Sequence, residues 1–206
     1  MTFFGSEEIR FPVVSEEGQV DVVQFLQASR QVVKFIDCLG TTFKIVKSDV
    51  NGNIQKLQQK YNTDPEKFQN FEAMLEDEKV NNNTDFAKVG GLWLKRALQF
   101  VYVFLSNMVE EYKNGSPRES LQPHIKKAYD ETLHKYHNFI TQKMFTVVAI
   151  TAPTWSSLMK ILSRGNDVDD EQIIKDLEVY LDVMATNLDV LSNLYIKYEL
   201  DSNKSV

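Results

Sequence analysis

Asp49, Asn53 and Lys56 stand four and then three residues apart in Asp49-Val50-Asn51-Gly52-Asn53-Ile54-Gln55-Lys56, the spacing that places all three on one face of a helix. The set offers a two-oxygen acceptor, a carboxamide that both donates and accepts, and a charged donor. That combination suits sugar hydroxyls, since a carboxylate accepts from two neighbouring hydroxyls while the ammonium serves the oxygens that remain. A charged stripe on a helix is also the pattern of a solvated face, and spacing alone leaves both readings open. Trp93 starts a second face, followed by Ala97, Phe100 and Phe104 at i+4, i+7 and i+11. Such a stripe is either core or an indole platform for the apolar C–H face of a sugar, with phenyl rings lining a space for hydrocarbon. His137, in Leu133-His134-Lys135-Tyr136-His137-Asn138-Phe139, is open in the same way between an ordinary histidine and a ligand donor.

Catalytic constellations are hard to find. Glu131 and His134 form a Glu-x-x-His pair, which a di-iron bundle uses, but such a site needs a second copy and the sequence holds none. His134 and His137 lack the further Cys or His that would complete a zinc set. The chain shows no phosphate-binding glycine loop, no Gly-x-Ser-x-Gly elbow and no evident nucleophile with its base. The reading is a non-enzymatic protein with no metal and no cofactor.

The elements that position these residues are helical almost throughout, because proline and glycine fall between stretches with helically spaced apolar residues. Residues 1–18 read as a loosely ordered lead-in. Helices are expected over Val20–Cys38, stopped by Gly40, and over Ile45–Tyr61. Asp64-Pro65 supplies an N-cap and a first-turn proline for a third, ending near Asn81-Asn82-Asn83. A fourth spans Gly91–Tyr112. A fifth runs unbroken over Leu121–Ile150 with Pro123 in its first turn, and Pro153 separates it from a short helix closed by Gly165. A last helix starts at Asp167 or Asp169. Its Leu177, Leu181, Met184, Leu188, Leu191, Tyr195 and Tyr198 have coiled-coil spacing, but Val179, Tyr180, Val183, Val190 and Leu194 widen the stripe to that of a buried globular helix.

Composition bounds the rest. A chain of 206 residues can bury a sizeable core as one domain. A net charge of -6 gives no bulk attraction to nucleic acid or anionic lipid. The lone Cys38 fits a reducing compartment, with a buried small hydrophobe as its simplest role. Residues Met1–Arg10 lack a signal-peptide pattern, and no apolar run is long enough to span a bilayer, so the expected location is cytoplasmic.

These segments together resemble the glycolipid transfer protein family. The resemblance covers about residues 20–200 and rests on Phe35-Ile36-Asp37-Cys38-Leu39-Gly40, Asp49-x-x-x-Asn53-x-x-Lys56, Trp93-Leu94-Lys95-Arg96, Lys135-Tyr136-His137 and Ala152-Pro153. It implies an all-α fold, a two-layer sandwich of about eight helices enclosing an apolar lipid pocket, with one glycolipid-transfer domain over 1–206. It implies a glycosphingolipid ligand, held by its sugar and ceramide amide and moved between membranes. On that resemblance Asp49, Asn53 and Lys56 bind sugar hydroxyls, Asp49 also accepts from the amide N–H, Trp93 stacks on the first sugar and His137 donates to the amide carbonyl. Phe35, Leu39, Phe43, Phe100, Phe104, Leu133, Phe145, Leu158, Leu162 and Tyr180 are similar to the family's hydrocarbon-lining positions.

Three departures stand out. The approach to Trp93 after Val89-Gly90 is shorter, Phe139 stands where a docking tryptophan is often found, and the C-terminal Asn203-Lys204-Ser205-Val206 lacks a tyrosine that in some members reaches back to the site. Phe139, Ile140, Ile150 and Trp155, with Lys143 beside them, are expected to border the pocket mouth and to make peripheral, reversible membrane contact. Two other readings share this fold: a carrier of a phosphorylated sphingolipid, which calls for cations in place of Asn53 and Trp93, and a glycolipid sensor or adaptor. For the latter, Phe35-Ile36-Asp37-Cys38 loosely resembles an endoplasmic-reticulum docking motif, with a packed helix end as its alternative.

Overall fold

Several helix starts in this chain are set by a short polar side chain that accepts from the backbone three residues on. Asp21 accepts from Gln24 N at 2.7 Å, Asn70 from Ala73 N at 3.0 Å and Asp169 from Gln172 N at 2.8 Å, each satisfying an N–H that the first helical turn leaves bare. The computed structural model describes residues 1–6, 10–115 and 117–201, so Asn203–Val206 lie outside the described residues. Among those residues there are eight α-helices: α1 Val22–Cys38, α2 Lys44–Thr63, α3 Phe71–Asn81, α4 Leu92–Lys113, α5 Gln122–Thr132, α6 Phe139–Ile150, α7 Trp155–Ser163 and α8 Asp170–Lys197. Two 3-10 turns, Thr41–Phe43 and His134–Tyr136, and a π-helical turn, Phe86–Gly91, join them.

α4 is central, with α8, α5 and α2 packed on it, while α1 lies on α2, α6 on α5 and α7 on α8. Gln99 Nε2 donates to Ser192 Oγ at 3.3 Å, Arg96 pairs with Asp201 at 2.9 Å, and Lys113 pairs with Glu178. α4 and α8 therefore run antiparallel. The broad stripe expected on α8 is buried: Leu177, Tyr180, Leu181, Met184, Leu188, Leu191 and Tyr195 all lie in the core. α1 ends where expected, at Gly40, whose φ of 115° and ψ of 175° belong to a region open to glycine alone.

Four expectations need correction. Asp64 does not cap α3; its carboxylate accepts from Lys67 N at 3.1 Å and closes a single turn, and α3 begins only after Asn70. The fifth helix is two helices, because His137 is extended and Asn138 accepts from Thr141 N at 3.0 Å, capping a new start. Gln142 Nε2 donates to the carbonyls of His134 at 3.2 Å and His137 at 2.8 Å, so the break leaves these oxygens satisfied. Among its described residues the lead-in has no helix, and it is not loose: Phe4 and Phe11 are buried in the core, and Phe3 N donates to Leu162 O at 2.7 Å. Cys38 is exposed rather than buried, because it sits on the solvent side of the last turn of α1.

α2 and α3 are tied by a buried charge cluster. Asp77 binds Lys60 and Lys67, and accepts from Asn81 Nδ2 at 2.8 Å and Asn83 Nδ2 at 3.3 Å. Lys60 Nζ also lies 4.6 Å above the Phe68 ring, a cation–π contact. Hydrogen bonds from Lys60 and then Lys67 hold the Asp77 carboxyl far below the usual carboxylate range, against the opposing effect of burial. A depressed carboxylate adds stability that is complete above its unfolded pKa near 4 and is lost as pH falls toward its folded value. Chemical denaturation should therefore show stability falling from about pH 4 downward, and Asp77→Ala, which strands the buried Lys60 ammonium, should cost about 3–5 kcal/mol at neutral pH. An acid profile unchanged by Asp77→Ala would remove Asp77 as its source.

Candidate functional site

On α2, Asp49, Asn53 and Lys56 do share a face, and with Ile45, Ser48 and Gly52 they line an open pocket of about 430 Å³. Asn53 is only 3% exposed. Its Oδ1 accepts from Lys56 Nζ at 3.3 Å, while its Nδ2 has no partner among the described residues. A buried donor left unpaired costs about 1–3 kcal/mol unless something supplies an acceptor. Asp49 keeps solvent contact, yet the surrounding protein desolvates its carboxyl and raises its pKa, with the Lys56 ammonium pulling the other way.

The π-turn Phe86–Gly91 closes onto this face. A Cβ on Gly91 would run into the buried Tyr195 hydroxyl, so that position accepts only glycine at this approach, while one on Gly90 would come within a tight 3.1 Å of Lys56 Cδ. The shorter approach to Trp93 noted in the sequence thus takes the form of a tight turn pressed on the stem of Lys56.

From that turn α4 carries Trp93, half-buried, whose ring stacks on His137 at 5.9 Å and 15° and meets Tyr136 edge-on at 6.3 Å. The Arg96 guanidinium lies 3.4 Å over the Tyr136 ring and 5.0 Å from that of Trp93, anchored by Asp201. Lys95, also buried, shares Asp201 at 3.5 Å; burial lowers its pKa and Asp201 opposes this. Neither Lys95, Arg96, Tyr136 nor Asp201 was singled out for a role in the sequence, although Trp93-Leu94-Lys95-Arg96 carried the signal for the first two.

His137 Nδ1 lies 3.0 Å from the Tyr129 hydroxyl. Burial, and Asp130 after it, push the Tyr129 pKa up to about 12, so the phenol stays protonated and we assign its O–H as donor to Nδ1, which leaves the imidazole proton on Nε2. Tyr129 in turn stacks on Phe145 at 3.7 Å, and Phe145 meets Phe100 edge-on at 5.5 Å. The rings thus lead inward from His137 to the core. Of the expected hydrocarbon positions, Phe35, Phe43, Phe100, Phe104, Leu133, Phe145, Leu158, Leu162 and Tyr180 are buried, and Leu39 is partly buried against them.

The expected docking patch is only partly assembled. Phe139 and Ile140 are each 70% exposed and Ile150 64%, with Lys143 Nζ 5.2 Å over the Phe139 ring. Trp155 is not with them: it is 6% exposed, stacked on Tyr112 at 6.0 Å, and its Nε1 donates to Asp170 at 3.2 Å. The break before α6 explains the miss, since an unbroken helix would have aimed its end elsewhere. Met144 and Val147 on α6 and Ile45 on α2 are exposed apolar residues that sequence reasoning passed over. Glu131 and His134 fall on either side of the end of α5, so they do not share a helix face. Phe35 and Ile36 are buried in α1, so a partner reading Phe35–Cys38 as a linear motif would have to unwind that turn. Among the described residues no helix is long and apolar enough to cross a membrane.

The family model described as glycolipid transfer protein (GLTP) matches residues 20–164. The chain is 32% identical over 204 residues to the glycolipid transfer protein of Danio rerio, covering 97% of this chain and 98% of the relative. A solved structure on how FAPP2 selects simple glycosphingolipids using the GLTP-fold aligns with a TM-score of 0.88 at 30% identity over 100% of both chains. Human ceramide-1-phosphate transfer protein, in complex with 12:0 ceramide-1-phosphate, aligns with a TM-score of 0.80 at 21% identity over 92% of each chain, a likeness of fold alone.

Burial, with His134 second, lowers the pKa of His137 below 6.5. The fold favours the neutral ring, so the unfolded chain binds the extra proton first, and stability falls as pH drops below about 6.5. An NMR titration should find the His137 midpoint below about 6.5, and Tyr129→Phe, which removes the hydroxyl at Nδ1, should change that midpoint. A His137 midpoint that Tyr129→Phe leaves unchanged would refute the assigned contact.

Proposed function

The chain belongs to the glycolipid transfer protein family, and we propose from that premise how its own residues bind a glycosphingolipid and carry it between membranes. Recognition falls on Asp49, Asn53, Lys56, Trp93 and His137. The observation that carries this reading is the buried Asn53 carboxamide, whose Nδ2 has no partner among the described residues while Asp49 and Lys56 stand beside it in an open pocket. A sugar fills this need, because its hydroxyls both accept from Nδ2 and Lys56 and donate to Asp49. Trp93 supplies a flat apolar face for the sugar ring, and His137, protonated on Nε2, donates to the ceramide amide carbonyl while Asp49 accepts from its N–H.

A phosphorylated headgroup fits less well. Asn53 and Trp93 are neutral where a phosphate calls for cations, and Lys95 and Arg96 already share Asp201. The two lipid chains occupy the aromatic and aliphatic core that begins at Tyr129, Phe145 and Phe100. The protein acts as one glycolipid-transfer domain by binding and release rather than by catalysis, and it works in the cytoplasm, where an exposed Cys38 thiol is kept reduced.

Membrane contact is made by the exposed face of α6, where Phe139, Ile140, Met144, Val147 and Ile150 enter the headgroup boundary with Lys143 at its edge. The Thr41–Phe43 turn packs on α6, and the exposed Ile45 that follows it lines the headgroup pocket, so the docking face leads toward the pocket mouth. With a net charge of -6 the attraction is apolar and reversible.

Two experiments follow. Asp49→Val removes the carboxylate that faces both sugar and amide, and at about 1–3 kcal/mol for each donor left unpaired it should cut glycolipid transfer about 10- to 100-fold with helical content intact. Full transfer by a folded Asp49→Val protein would end the headgroup assignment. For docking, Phe139→Ala with Met144→Ala should weaken vesicle partitioning about tenfold or more at unchanged thermal stability, whereas Trp155→Ala should lower stability and leave partitioning alone. Partitioning that follows Trp155 instead would put the docking face elsewhere.

A further inference from the structure

The segment Met1–Gly5 is laid across the end of the core remote from the headgroup pocket. That end is fixed by the antiparallel run of α4 and α8: Arg96 pairs with Asp201 at the headgroup end, and Lys113 pairs with Glu178 at the other. Tyr180 belongs to the second end, fifteen residues before Tyr195 on α8, roughly 22 Å at the helical rise per residue. The Phe4 ring, 2% exposed, packs on Tyr180 at 4.4 Å and on Phe35 at 5.4 Å, and Phe3 meets Phe35 at 5.9 Å. Phe35, Leu162 and Tyr180 are three of the positions assigned to the hydrocarbon chains.

What holds these rings is side-chain and backbone tethering, not a helix. Phe3 N donates to Leu162 O at 2.7 Å, Thr2 Oγ1 donates to Asp176 at 2.6 Å, and Asn166 Nδ2 donates to Met1 O at 2.9 Å. Gly5 lets the strand pass close, since a Cβ there would come within 2.5 Å of Asp176 Oδ2. The Tyr180 ring packed on Phe4 carries a buried hydroxyl with no partner among the described residues, a polar group that an extending hydrocarbon chain would meet unfavourably.

We infer that Phe3 and Phe4 form the floor of the hydrocarbon site and set the longest lipid chain that the protein accepts. The inference rests on the glycolipid reading above and adds chain length to it. A chain too long for the site must displace the Phe4 ring from its contacts with Phe35 and Tyr180 or leave its last methylenes in water, and each methylene left out forfeits about fourfold in affinity.

The test measures binding of glucosylceramides whose N-acyl chains lengthen two carbons at a time, for wild type, Phe4→Leu, Phe3→Ala and Phe4→Trp, each checked for helical content. A series of free fatty acids is run in parallel. Wild type should gain affinity with length up to a ceiling. Phe4→Leu should move that ceiling about two carbons up, with about tenfold tighter binding just beyond the old one, and Phe4→Trp should move it down. Phe3→Ala, at a partly exposed position, gives a second upward shift that survives if Phe4→Leu does not fold. Ceilings that stay together in both lipid series for every folded variant overturn the floor. If wild type binds no glucosylceramide but the fatty acids show the shifting ceiling, the headgroup reading falls and the floor stands.

Discussion

The carboxylate of Glu78, fully buried at the end of α3, anchors the turn on which the site is built. It accepts from the backbone N–H of Ala87 at 3.0 Å, from Lys88 N at 2.9 Å and from the Thr84 hydroxyl at 2.6 Å, and the Tyr195 hydroxyl donates to Ala87 O at 2.6 Å from the other side. A charged acceptor with three donors is among the stronger buried arrangements, and each of its partners would be left costly and unpaired without it. The turn it fixes, Phe86–Gly91, packs on the Lys56 stem and leads directly into Trp93. The polar face of α2 and the indole of α4 come from different helices, and their separation is set here.

The two ends of the molecule follow from this. At one end, charges and rings are interleaved: Asp201 holds Arg96 and Lys95, Arg96 lies over Tyr136, and Trp93 stacks on His137. Long cationic side chains with ordered partners lose their rotamer freedom on folding rather than on binding, so the platform is formed in advance of ligand. At the other end the interior is built mainly of rings and aliphatic groups, closed by Phe4 over Tyr180 and Phe35, and the charges of Asp176, Lys113 and Glu178 lie around it. A lipid with a sugar at one end and hydrocarbon at the other matches that polarity.

The break at His137 and Asn138 does two things at once. It turns His137 out of helical geometry, with Nδ1 against Tyr129 and its ring against Trp93, and it restarts the chain as α6 in a direction that leaves Phe139, Ile140, Met144, Val147 and Ile150 exposed. A continuous helix would not place an imidazole at the site and an apolar ridge beside it within a few residues. Asn138 makes the restart possible by capping it.

By itself the sequence determined the helical class, most helix ends, the shared face of Asp49, Asn53 and Lys56 and the breadth of the buried stripe on α8, because periodicity and capping are local properties of the chain. The residue types of Asp49, Asn53, Lys56, Trp93 and His137 are compatible with a sugar ligand, but they left a solvated face, a core stripe and an ordinary histidine open, and the family resemblance made the choice. Tertiary structure decided the rest. Whether Trp155 faces water or Asp170 and Tyr112, whether Phe4 lies loose or closes the core, and whether Asp64 or Asn70 starts α3 all depend on contacts between residues far apart in the chain. The break in the fifth helix depends on the same kind of contact: residues 133–139 have helical spacing throughout, but Asn138 accepts from Thr141 N, Gln142 Nε2 donates to His137 O, and His137 is held by Tyr129 and Trp93.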